Sequence, residues 1–145
     1  YALCRRGTLS SIVADYAPET GSVLWTAIAT PRMSFYMPLY VDIDGLPAFC
    51  EAFLPGEGEN TSLFWEFKEL CILTQRRFAR HMEITGKAKR EWEAHAAAVL
   101  AAHSRDMAQL PESERRAART KFDRAVLTSA LETCRETRHA LLLQY

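Results

Sequence analysis

The chain reads as an α+β protein, and three observations say so. Two β-rich runs meet at a Pro- and Gly-containing turn, a proline-dense stretch follows them, and from residue 60 onward the apolar period changes to that of helices. Residues Thr8 to Tyr16 and Ser22 to Thr30 are the two runs, and Ala17-Pro18-Glu19-Thr20-Gly21 between them marks a hairpin. In the second run Val23, Trp25, Ala27 and Ala29 alternate with Leu24, Thr26 and Ile28. Neither set is strongly polar, so both faces of this sheet are expected to be covered. Four of the six prolines fall in residues 31–59, with Gly45, Gly56 and Gly58 among them, which predicts an ordered loop region and a short strand at Ser34 to Tyr40.

Asn60, Thr61 and Ser62 offer caps for a first helix whose apolar positions are Leu63, Phe64, Phe67, Leu70, Cys71 and Phe78. Gly86 is expected to interrupt it. A second helix carries Trp92, Ala96, Val99, Leu100, His103 and Met107, and Gln109-Leu110-Pro111-Glu112-Ser113 turns the chain. A third helix from about Ser113 carries Ala118, Phe122, Ala125, Val126, Leu131, Cys134 and Leu141. Each has one apolar stripe, which needs a surface to bury against, and the sheet supplies one. The organisation is one domain over 1–145, hairpin and loops in 1–59 and helices in 60–145.

With 145 residues, 48% of them apolar and 25% charged, the chain has the balance of a globular protein. Lys plus Arg and Asp plus Glu are both 18, so bulk charge calls for neither nucleic acid nor an anionic membrane. No run approaches the roughly 18 apolar residues of a spanning helix. Cys4, Cys50, Cys71 and Cys134 show no metal or dithiol spacing and leave the compartment open, the cytoplasm being the expected one. Asp42-Ile43-Asp44-Gly45 lacks the later carboxylates of a calcium loop and reads as a turn. No pair among His81, His95, His103 and His139 has zinc-helix spacing, and no phosphate loop, nucleophile elbow or dinucleotide fingerprint occurs, so no cofactor is expected. The basic run from Ser113 is interspersed with acids and reads as a solvated helix face.

Four local patterns carry a resemblance. They are Cys4-Arg5 with Thr8 and Ser10-Ser11 before an apolar strand; Gly21-Ser22-Val23-Leu24-Trp25; the set Pro31, Ser34, Pro38 and Tyr40; and Ser62-Leu63-Phe64-Trp65-Glu66-Phe67. Together they resemble the cysteine dipeptidase family of dipeptidase A and the secernins, within the N-terminal-nucleophile hydrolase superfamily. The resemblance implies an αββα sandwich of which this chain is the carboxy-terminal portion. It also implies hydrolysis of dipeptides or related amides by an amino-terminal cysteine, whose own α-amino group, of pKa about 7.7 to 8.0, acts as base.

Cys4 stands inside the chain and is not assigned that role, so no catalytic residue is assigned here. The expected partner is the amino-terminal remainder of the same enzyme, bearing the nucleophile, with self-association between copies as a second. Arg5 and Arg6 are the candidates for pairing a peptide carboxylate bidentately, and Thr8 and Ser10, with Ser11, for orienting a substrate amide or water. The rival reading is a non-catalytic helical module that docks on a partner through its amphipathic stripes.

Overall fold

The computed structural model describes residues 8–17, 19–51 and 62–144. Three strands, β1 (Ser10–Asp15), β2 (Val23–Ile28) and β3 (Met37–Tyr40), precede four helices, α1 (Ala48–Glu51), α2 (Leu63–Arg76), α3 (Phe78–Gln109) and α4 (Glu112–Leu142). The strands form one antiparallel sheet in the order β1-β2-β3. Val13 lies opposite Trp25, Ile12 opposite Thr26, Thr26 opposite Met37 and Val23 opposite Tyr40. The α+β class, the hairpin and the short third strand therefore stand.

Gly21 closes the β1–β2 turn by donating its N–H to the Ala17 carbonyl at 2.8 Å. Its φ of +101° suits glycine, and a Cβ there would lie 2.8 Å from Nε of the buried Arg119. Both backbone and space exclude a side chain. Gly21→Ala is expected to destabilise the protein by about 1–3 kcal/mol, read as a lower urea midpoint; an unchanged midpoint would show that Arg119 does not pack on the turn.

Edge strand β3 is the part of the sheet that the helices hold. Tyr40 donates its backbone N–H to Oδ1 of Asp123 on α4 at 3.0 Å, and Tyr36, just before the strand, donates its N–H to Oε1 of Glu93 on α3 at 2.8 Å. Acidic side chains thus satisfy backbone donors that the sheet leaves unpaired. Behind β3, Phe35 meets Phe67 edge-on at 5.2 Å and stacks on Trp92 at 5.6 Å. Leu63, Leu70 and Cys71 of α2 and Val126, Leu127, Ala130 and Cys134 of α4 complete the core.

Strand β1 limits one expectation. It makes no packing contact with any described helix, and Ile12 and Val13, on opposite faces of the strand, are 59% and 55% exposed. Both faces are covered where the expectation was read, since no residue of β2 is exposed, Tyr40 meets His103 and Phe122 on one face, and Met37 and Leu39 lie with Leu63 and Phe64 on the other. The cover stops at β1, because the helices gather around β3 two strands away.

The helices also differ from expectation at one break. Gly86 lies buried inside α3, and the chain bends instead at Arg77, whose φ and ψ of −134° and 60° leave the helical region. Tertiary contacts set that position. His81 on the first turn of α3 donates its Nδ1–H back to the Leu73 carbonyl at 2.7 Å, satisfying one of the acceptors that a helix end leaves open, while Thr85 meets Thr74 at 2.9 Å. At the other end of α2, Ser62 takes the capping role by accepting from the Trp65 N–H at 3.3 Å.

The run from Ser113 is solvated only in part: Arg116 and Lys121 are exposed, whereas Arg119 is buried, and its arginines also bind loops. Arg115 donates to the carbonyls of Leu110 and Glu19. Arg116 pairs with Asp44 at 2.7 Å and donates to the Ile43 carbonyl, and Arg119 reaches Asp42 at 3.3 Å. The Asp42–Gly45 turn is therefore clamped onto α4.

Candidate functional site

Arg5 and Arg6 lie outside the described residues, as does Cys4. Thr8 is half-buried just before β1, and Ser10 opens that strand, exposed and opposite Ile28. The neighbouring Ser11 is the hydroxyl held in place: the Tyr36 phenol donates to its Oγ at 2.9 Å. This single bond ties the outermost strand to the loop that joins β2 to β3.

That loop, Ala29 to Tyr36, is held by several contacts. Ala29 is buried in the left-handed region at φ +61°, a conformation that costs a non-glycine residue energy and persists only where its surroundings enforce it. The Thr30 carbonyl accepts from the N–H groups of Met33 and Ser34 at 2.9 and 3.0 Å. Ser34 is fully buried, and its Oγ has no hydrogen-bond partner.

Lys89 of α3 enforces the loop from outside. Its ammonium donates to the carbonyls of Pro31 at 3.2 Å and Ser34 at 2.6 Å and to Glu93 Oε1 at 2.6 Å, and it lies 4.7 Å from the centre of the Tyr36 ring. Three donors and three acceptors leave this lysine no N–H for a ligand. It acts as a clamp that presents Tyr36 to β1.

Lys89 and Glu93 were not singled out by the sequence, for a clear reason. Lys87 and Glu91 have the same i, i+4 spacing two residues earlier and lie in solvent, 3.9 Å apart. The one available signal was that Glu93 adjoins Trp92 on the apolar stripe of the helix.

A second polar group surrounds Tyr40. Its hydroxyl lies 3.2 Å from His103 Nδ1 and 3.5 Å from Ser104 Oγ, and Phe122 packs on both rings. The Arg119 guanidinium lies 5.8 Å from the Tyr40 ring centre. Burial raises the phenol's pKa, against the bond from Ser104 and the charge of Arg119. Burial also lowers that of His103, opposed by its bond to the Ala118 carbonyl and by Asp106. Asp123, 1% exposed, is pushed up to about 7 by burial, against the Tyr40 N–H that stabilises its anion. The second oxygen of Asp123 and Nε of Arg119 are buried without hydrogen-bond partners. This cluster joins sheet to helices.

None of Cys50, Cys71 and Cys134 is in a disulfide. Cys71 and Cys134 are core residues, and burial first, then the Glu66 carboxylate, pushes the Cys134 thiol well above its ordinary range, which keeps it an unreactive thiol. Among the described residues no group of three His, Cys, Asp or Glu side chains is placed to hold a metal ion. No described helix is long and apolar enough to cross a membrane.

Next to β1 the sheet has an apolar face that the helices cover only in part. Alternation places Ile12, Thr26, Ile28, Met37 and Leu39 on one face, and the last four line a hollow of about 380 Å³ that Leu63 and Phe64 of α2 close on the far side. The surface runs from this hollow to exposed Ile12 at the sheet's open edge. No protein-family model matches this chain, and no curated protein matches it.

Proposed function

We propose that this chain is the pocket-forming and scaffolding portion of a cysteine-type N-terminal-nucleophile hydrolase that cleaves dipeptides or related amides, with the nucleophile supplied by another segment of the enzyme. The observation that carries the reading is β1. It is a strand of six residues with no proline, no lysine and no bulge to guard its edge, and with a large apolar side chain exposed on each face. Such an edge fits a sheet that continues into further strands.

In that arrangement the strand of Ser10 and Ser11 is tied to the Pro31–Tyr40 turn. Thr8, Ser10 and Ser11 lie at the strand that meets the remainder of the enzyme, and the Pro31–Tyr40 turn, held by Lys89 and Glu93, fixes that strand through Tyr36. Arg5 and Arg6 precede it in the chain, where a guanidinium would pair the carboxylate of a peptide. The chemistry implied by the resemblance is attack of a thiolate on the amide carbon, a tetrahedral oxyanion, departure of the amine and hydrolysis of the acyl-enzyme by water.

The test is the product of the natural gene, analysed by denatured intact mass and by dipeptide hydrolysis before and after iodoacetamide. A polypeptide beginning with cysteine, and hydrolysis abolished by alkylation, is the expected result. A single inactive species that is stable as a monomer would instead favour the helical docking module.

A further inference from the structure

Helices α3 and α4 bury one side against the sheet and α2, and their opposite side is a long groove without a described occupant. Three adjoining hollows of about 680, 200 and 340 Å³ run along it. Glu83, Glu91 and Glu136, with Lys87, line one end. His95, Val99, Ala125 and Ser129 line the middle, where Val99 is 37% exposed. His103, Asp106 and Lys121 line the other end.

We infer that this groove binds a second copy of the chain, antiparallel, about a two-fold axis over its middle. Charge order along α4 selects that occupant and that direction. Lys121, Ala125, Glu132 and Glu136 are exposed at spacings of four and seven residues, hence on one stripe, basic at its start and acidic at its end. Lys121 lies about 12 Å before Ser129 along the helix axis and Glu136 about 10.5 Å after it. Turning one copy by 180° about an axis near Ser129 sets Lys121 of each copy against Glu136 of the other, twice over. A parallel stacking would set like charges together. Alanines at 98, 102 and 125 beside Val99 let the backbones approach at the centre. The self-complementary surface is the one a two-fold interface requires.

The test is sedimentation velocity of the full chain in low salt at roughly 5 to 200 µM. A dimer is expected, weakened about tenfold or more by Lys121→Glu and by Glu136→Lys singly, and restored by the two together. Both positions are exposed, so folding is retained, and circular dichroism checks it. Thr128→Cys, exposed near the axis, should cross-link between copies with a bismaleimide above the unsubstituted background, and Ile12→Cys should not. A monomer throughout, or a dimer insensitive to both charge reversals, overturns the inference. Cross-linking through Ile12→Cys alone also overturns it, by placing association on the open strand.

Discussion

Phe35→Ala is expected to lower the free energy of unfolding by about 4 kcal/mol, within the range for truncating a buried aromatic. Phe35 is fully buried although it sits in a loop, and its ring touches both Phe67 of α2 and Trp92 of α3. Removing it empties the space where loop and two helices meet. The loop cannot readily collapse to fill it, because Lys89 holds the carbonyls of Pro31 and Ser34 just ahead of it. Phe78→Ala is the control. That ring is 38% exposed beneath the Arg32 guanidinium, and its loss should cost under about 1 kcal/mol. Chemical denaturation of both variants checks the contrast; equal losses would refute the assignment of Phe35 as the joint between loop and helices.

Ionisation of Asp123 should produce the second large effect, a fall in stability as pH rises from about 4 to about 7. The carboxyl ionises at 3.8 in its unperturbed state and at about 7 in the fold. Between those values the folded state holds a proton that the unfolded state has released, so raising the pH favours unfolding, by up to about 4 kcal/mol in all. The group set directly against it is Tyr40, whose backbone N–H donates to Oδ1. His103 acts in the opposite sense, since its lowered pKa costs stability as pH falls below 6.5.

The difference between the parent protein and Asp123→Asn isolates the carboxyl. The asparagine carbonyl still accepts the Tyr40 N–H, and the variant should lack the 4-to-7 decline. Asp123→Leu leaves that N–H without its acceptor and should lose about 1–3 kcal/mol even at pH 4. Urea midpoints across the pH range decide both, and a parent curve parallel to that of Asp123→Asn would show that Asp123 does not titrate in this window.

Local patterns made the elements legible. Alternation in Val23 to Ile28, the Gly21 turn and the three-and-four spacing of Leu63, Phe67, Leu70 and Cys71 are properties of neighbouring residues, and the structure keeps them. The break between α2 and α3 was misplaced because glycine propensity is a weak local term. The contact of His81 with Leu73, and of Thr85 with Thr74, outweighs it. The candidate site was half legible. Ser10-Ser11 and the Pro31–Tyr40 turn stood out by composition, but Lys89 and Glu93, more than fifty residues away, look no different from the solvent pair Lys87 and Glu91.

By itself, then, the chain determined its strands, its turns and the apolar stripe of each helix, because these follow from backbone preferences and from periods of two and 3.6 residues. Tertiary structure alone decided that Arg119 packs on Gly21 and Tyr40, that Asp123 and Glu93 accept backbone donors at β3, and that β1 is left with apolar residues on both faces. Whether a charged side chain meets water or a buried donor depends on which distant segment lies against it, and no local period encodes that.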